Sequence, residues 1–239
     1  MDNGLDGKQR ARTAKEKDRR RESIVQAALA LLLEQPGSLP TMHNIAKRAG
    51  VSKGTAYIYF DTKESIFLAL LEDNLHAWLS DINQALSYHA DDKMTQLVGA
   101  LLGFRANQPN LWVLASLSHA VIELNIDSKA LLSYKTKLAQ RFKSTAKAIR
   151  QHFDLDESYV GDTEAMLMQS YAYLLGQWQV CHPPQSIAKL LQGPGFKILQ
   201  PNFEHSAEHG LTQQWQSFML RMDKKPEPNG MLNRLFRRS

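Results

Sequence analysis

The chain is predicted to be all-α, a small N-terminal three-helix head carrying a helix-turn-helix and then a larger helical bundle. Three observations predict this. Apolar residues recur at helical spacing from Arg21 almost to the C-terminus. No segment shows the apolar–polar alternation of a half-buried strand. Residues 41–63 carry the punctuation of two short helices joined by a tight turn.

The elements follow in order. Ile24, Ala27, Ala28, Leu31 and Leu32 line one face of an amphipathic helix that starts near Arg21 and stops at Gln35, Pro36 and Gly37. Phe67, Leu71, Leu75, Trp78 and Ile82 stripe a long helix capped by Asp61 or Thr62, and Met94, Leu97, Val98, Leu101 and Leu102 mark another. Residues 110–124 are apolar on most sides, which predicts a buried helix, and Leu131, Leu138, Phe142 and Ile149 predict a half-buried helix of up to 25 residues. Residues 162–181 place Met166, Leu167, Leu174, Leu175 and Trp178 around the circumference, so this helix is expected to be covered on two sides. Gly193, Pro194, Gly195 and Pro201 predict a loop over 192–210, ahead of a last helix through Trp215, Phe218 and Met219.

Composition excludes several classes. With 239 residues, 43% hydrophobic and 22% charged, the chain can bury a sizeable core and is not disordered or low in complexity. Its longest unbroken apolar run is Ala27–Leu33, far short of the roughly 18 residues that span a bilayer. The charged start lacks the apolar core of a secretory signal, and a single cysteine, Cys181, precludes an internal disulfide. The expectation is a cytoplasmic protein with no membrane partner. The net charge of +5 is uneven: residues 1–21 hold eight basic and four acidic residues, residues 41–63 four and one, and residues 64–220 eleven and fifteen. A basic N-terminal quarter thus precedes a mildly acidic body, and each basic end, taken alone, can also be a solubilising tail.

Function is concentrated in 41–63. Thr41 is a suitable N-cap for a short helix ending near Ala49; Gly50 permits a left-handed turn; Val51 would fill the angle between the helices; Ser52 would cap the second. Ala46 and Ala49 allow a close crossing and Ile45 holds the first helix to the core. This is the pattern of a helix-turn-helix, whose second helix enters the DNA major groove. That helix, Lys53–Phe60, offers Lys53, Thr55, Tyr57 and Tyr59 to DNA, Gly54 leaves room for a close backbone approach, and Lys63 can reach another phosphate. An ordinary helical hairpin with a solvated basic face is the alternative.

Residues 20–67 resemble the DNA-binding region of the TetR family of bacterial transcription regulators, through Thr41, Ile45-Ala46, Ala49-Gly50-Val51-Ser52, Gly54, Tyr57, Tyr59-Phe60 and Lys63. The resemblance implies phosphate contacts from Thr41, Tyr59 and Lys63, and base or mixed contacts from Lys53, Thr55 and Tyr57. His43, where the family varies, reaches DNA or faces solvent. It also implies a helical ligand-binding and dimerisation bundle behind the head. The expected organisation is a basic flexible tail (1–20), the helix-turn-helix domain (21–67), the ligand-binding and dimerisation domain (68–223) and a polar tail (224–239).

Two motifs are discounted. Gly50-Val51-Ser52-Lys53-Gly54 matches the G-x-S-x-G nucleophile elbow, which needs a preceding strand where this chain has a helix. His205-Ser206-Ala207-Glu208-His209 matches H-x-x-E-H, yet no suitable third zinc ligand follows. Neither an enzyme nor a metal or cofactor is expected. Trp112, Ser116, His119 and Glu123 fall along one stripe of the 110–124 helix, so they line either a ligand pocket or a solvated face, and Tyr134, Gln169, Tyr173 and Gln177 pose the same choice. Trp178, Trp215 and Phe218 are expected at a two-fold dimer interface built from the last two long helices. The expected function is a homodimeric repressor released from a near-palindromic DNA operator by a small-molecule effector. The alternative is a DNA-bound adaptor whose body binds a protein.

Overall fold

The computed structural model describes residues 4–35 and 37–222. The chain is all-α, and among those residues there is no strand. In order the helices are α1 (Gly4–Glu34), α2 (Met42–Arg48), α3 (Lys53–Tyr59), α4 (Lys63–Leu86), α5 (Lys93–Leu102), α6 (Phe104–Asn107), α7 (Leu111–Leu117), α8 (Ser128–His152), α9 (Val160–Cys181), α10 (Gln185–Leu190) and α11 (Phe203–Met222). None is long and apolar enough to cross a membrane.

They form two compact units. The first comprises the described residues of Met1–Ala77 with Gln108–Leu138 and His182–Gly193; the second comprises Trp78–Asn107, Ala139–Cys181 and the described residues from Pro194 on. The expected division at 67/68 and the boundary of these units at Ala77/Trp78 both fall within α4. The polar tail expected over 224–239 lies outside the described residues.

In the first unit the helical stripes converge as their spacing requires: Ile24, Ala28 and Leu32 of α1, Ile45 of α2, Ala56 of α3, and Ile66 and Phe67 of α4 are fully buried. Arg48 clamps Glu34 through two hydrogen bonds, Nη2 to Oε1 at 2.7 Å and Nη1 to Oε2 at 3.2 Å, tying the end of α2 to the end of α1. This bond, with the guanidinium charge beside it, holds the Glu34 carboxyl below its ordinary range.

The second unit is built around Trp78, Leu97, Leu101, Ile149, Leu167, Leu174, Leu211 and Trp215, each 0–1% exposed. Both indole N–H groups are satisfied, as burial demands. Trp78 donates to the Leu101 carbonyl and Trp215 to the Ser170 hydroxyl, each at 3.0 Å.

Several expectations are corrected. Residues 4–20, expected as a flexible tail, form the first half of α1, whose run of Lys, Arg, Ala, Gln and Glu has high helix propensity and whose Glu16 and Arg20 pair at i, i+4. The 110–124 helix is α only as far as Leu117; a π turn over Ser118–Ile122 and a 3-10 turn over Glu123–Asn125 follow. The expected loop over 192–210 contains a 3-10 segment, Pro194–Leu199, and ends where α11 begins at Phe203, its Pro201 standing just ahead of the helix. Trp215 and Phe218 are 0% and 2% exposed and pack edge-on at 5.4 Å, so they belong to this chain's own core and not to a face awaiting a partner.

Candidate DNA-binding site

The turn between α2 and α3 forms as its residues dictate. Thr41 is extended (φ −73°, ψ 152°) and its Oγ1 accepts the Asn44 amide at 3.2 Å. Ser52 repeats the device for α3, accepting the Thr55 amide at 3.0 Å while its hydroxyl bonds Thr55 Oγ1 at 2.8 Å. Gly50 has φ +69°, a left-handed conformation that a side chain would strain, and the Val51 amide then reaches back to the Ala46 carbonyl at 3.0 Å. Ser52 of the G-x-S-x-G match is therefore a cap, as its neighbours imply.

α3 buries Ala56 alone and turns the rest of its surface outward. Lys53, Gly54 and Tyr57 are exposed, Thr55 and Tyr59 are half-buried, and the Lys53 ammonium stands 5.8 Å from the centre of the Tyr57 ring. Thr41 and His43 are exposed at the start of α2, and Lys63 is half-buried at the start of α4, its ammonium 3.9 Å from the Glu64 carboxylate. All eight residues expected to meet DNA thus lie on or beside the two short helices. Sequence reading missed Ile58, which α3 leaves 76% exposed. An apolar side chain there has the chemistry to meet a thymine methyl group; its only signal was an isoleucine on a helix whose other residues are polar or small. α1 also brings Glu16, Arg19, Arg20 and Ser23 to the same recess as Gly50, Val51, Ser52 and Thr55.

The residues expected to line a ligand pocket fall in both units, Trp112, Ser116, His119, Glu123 and Tyr134 in the first and Gln169, Tyr173 and Gln177 in the second. Trp112 is fully buried in the core; Ser116 donates to the Trp112 carbonyl at 2.7 Å; His119 is exposed. The π turn adds a residue to its turn and breaks the stripe that a continuous α-helix would have made. Glu123 is bonded instead to the Ser118 hydroxyl at 2.6 Å and Lys135 at 2.7 Å; burial pushes its carboxyl up, but these two partners outweigh that and hold it below the ordinary range. Tyr134 is buried. On α9, Gln169 is exposed and Gln177 half-buried, whereas Tyr173 lies against Gly210, the lack of a Cβ making room, and donates to the Ser206 carbonyl at 2.7 Å. Trp178 is half-buried, its ring edge-on to Phe203 at 5.4 Å. His205 and His209 stack 6.0 Å apart on exposed positions of α11.

Capped α2, a glycine turn and an outward-facing basic α3 define a helix-turn-helix DNA-binding protein. Residues 24–70 match the model of the tetR family of bacterial regulatory proteins, and residues 72–216 match that of the tetracyclin repressor-like C-terminal domain. The chain belongs to the TetR family and is a DNA-binding transcriptional regulator. It is 29% identical over 164 residues to the nucleoid occlusion factor SlmA of Vibrio vulnificus, covering 67% of this chain and 81% of that one. To SlmA of Marinobacter nauticus it is 35% identical over 98 residues, 40% of this chain and half of that protein's length. Among solved structures, a TetR-family regulator from Mesorhizobium loti superimposes with a TM-score of 0.55 at 16% identity, covering 85% of this chain and 96% of that one. The regulator FadR from Bacillus subtilis, in complex with stearoyl-CoA, does so at 0.51 and 18% identity, covering 81% and 98%.

Lys63→Ala is expected to weaken binding to all DNA sequences about equally and to lower the slope of log affinity against log salt by about 0.9, one phosphate's share. Titrations at four or more salt concentrations measure it. An unchanged slope removes Lys63 from the phosphate contacts.

Proposed function

We propose that the protein is a homodimeric repressor that reads a near-palindromic operator with α3 and leaves it when a small-molecule effector occupies the helical body. The observation that carries the DNA half of this reading is the outward face of α3, with Lys53, Thr55, Tyr57 and Ile58 all left available beside a capped, rigid turn. Phosphate contacts are assigned to Thr41, Tyr59 and Lys63, base or mixed contacts to Lys53, Thr55 and Tyr57, and a peripheral role to His43. The cations of α1, among them Arg19 and Arg20, add phosphate contacts from a helix beside the turn.

The effector half draws on FadR, whose similar fold is solved with stearoyl-CoA. One observation favours the alternative of a DNA-bound adaptor: the similarity to the nucleoid occlusion factor SlmA runs through two thirds of the chain. Mapping bound genomic sites, followed by a thermal-shift screen of compounds suggested by the neighbouring genes, separates the two. A compound that raises the melting temperature and also releases the operator supports the repressor. Operator binding indifferent to every compound that raises it supports the adaptor.

Dimerisation is assigned to the outer face of α9. Gly161, Ala165, Met168 and Ala172 recur there at i, i+4, i+7 and i+11, all exposed, and Met168 is 49% exposed; small residues let a second helix approach closely. Met168→Glu is expected to yield a folded monomer by sedimentation at micromolar concentration, with operator affinity lowered at least tenfold, since two heads no longer bind as one. A mutant that remains dimeric removes this face from the interface.

A further inference from the structure

We propose that a recess between α8 and the start of α9 is a binding site for a small phosphate-bearing ligand. The recess encloses about 260 Å³ and is lined by Lys143, Ala146, Lys147 and Arg150 of α8 and by Glu157, Val160 and Glu164. It is remote in sequence from the DNA-reading turn and from the 112–123 stripe, and it goes beyond the functional reading above.

Arg150 is the centre of the site. Its side chain is 8% exposed, Nη1 donates to the Leu155 carbonyl at 3.3 Å, and Nη2 donates to Glu157 Oε1 at 2.7 Å. Nε is buried and has no acceptor among the described residues. Nε–H and the adjacent Nη2–H form one edge of the guanidinium, the edge that takes two oxygens of an oxyanion side by side. Glu157 fills only half of it, and Glu157 is itself 80% exposed, a carboxylate free to swing into water. A phosphate in its place satisfies both donors, and a buried donor without a partner is otherwise a standing cost.

The charge balance favours the same ligand. Lys147 and Lys143 stand one and two turns before Arg150 on one face of α8, both exposed and, among the described residues, in no ion pair. With Glu157 displaced, three cations face the single carboxylate of Glu164, an excess that a phosphate dianion matches and a monocarboxylate does not. The volume admits a phosphate on a small organic body.

The test uses the full chain, isotope-labelled, titrated with inorganic phosphate at constant ionic strength made up with sodium chloride. The Arg150 Nε–H resonance, assigned by its loss in Arg150→Lys, is expected to shift saturably. Lys143→Gln with Lys147→Gln is expected to weaken the apparent affinity at least tenfold, and Glu157→Gln to tighten it by removing the competing carboxylate. Both lysines are exposed, so that variant folds whether or not Arg150→Lys does. A shift that chloride reproduces, no shift up to 50 mM phosphate, or lysine variants that bind like the parent would each overturn the proposal. Tightening absent in Glu157→Gln would overturn the displacement on which it rests.

Discussion

Trp215→Ala is expected to destabilise the protein by about 3–5 kcal/mol, the usual cost of emptying a buried aromatic site. Trp215 is 0% exposed, its ring meets Phe218 edge-on, and its indole N–H is spent on the Ser170 hydroxyl of α9. The substitution opens a cavity between α9 and α11 and deletes the hydrogen bond that joins them. For a chain of this length the loss corresponds to a fall in melting temperature of roughly 6–20 °C. Trp215→Phe restores most of the apolar volume but not the donor, and is expected to fall between the two. Differential scanning calorimetry of the three proteins measures it. A Trp215→Ala protein that melts like the parent but sediments as a monomer would return this side chain to a surface between subunits. Phe218→Asp is expected to unfold the second unit for the same reason, since it places a carboxylate at a 2% exposed position; it therefore cannot serve as a probe of dimerisation.

The second large effect is on specificity. Lys53→Ala and Thr55→Ala are each expected to narrow the affinity ratio between operator and random DNA by about 1–3 kcal/mol, or roughly 5- to 150-fold. Lys53 is exposed and steered by the Tyr57 ring, so its removal deletes a contact while α3 stays folded. Thr55 has two duties: its amide and hydroxyl both bond Ser52, so truncating it also loosens the α3 cap. Thr55→Ser keeps both bonds and loses only the methyl. Comparing the two at one salt concentration separates base reading from capping. A ratio unmoved by Lys53→Ala would withdraw Lys53 from the base-reading set, even if total affinity falls.

The helix-turn-helix was legible because its determinants are local. Thr41, Gly50 and Ser52 act within three or four residues of themselves, through hydrogen bonds and backbone conformation that neighbouring residues alone decide. For α4 local residues narrowed the cap to Asp61 or Thr62, and it is the Thr62 Oγ1 that accepts the Ser65 amide, at 3.1 Å. The stripe through Trp112, Ser116, His119 and Glu123 was not legible, because it assumed an unbroken helix. The π turn that breaks it is stabilised by Lys135, twelve residues past Glu123, through an ion pair that no helical periodicity could reveal. The side chain of Arg150 likewise meets Leu155 and Glu157 only after the chain has turned from α8 into α9.

By itself the sequence determined the all-α class, the course of the longer helices and the position of the DNA-reading turn. Each of these follows from spacing within one helix or from a cap beside it, where the energy lies in contacts a few residues apart. Only the tertiary structure decided which apolar faces are core and which stay open. Trp215 and Phe218 looked like interface material along their helix, and Met168 went unremarked. The first two were claimed by the packing of α9 against α11, and Met168 was left outside, because burial depends on which helix arrives to cover a face, and that partner is distant in the chain.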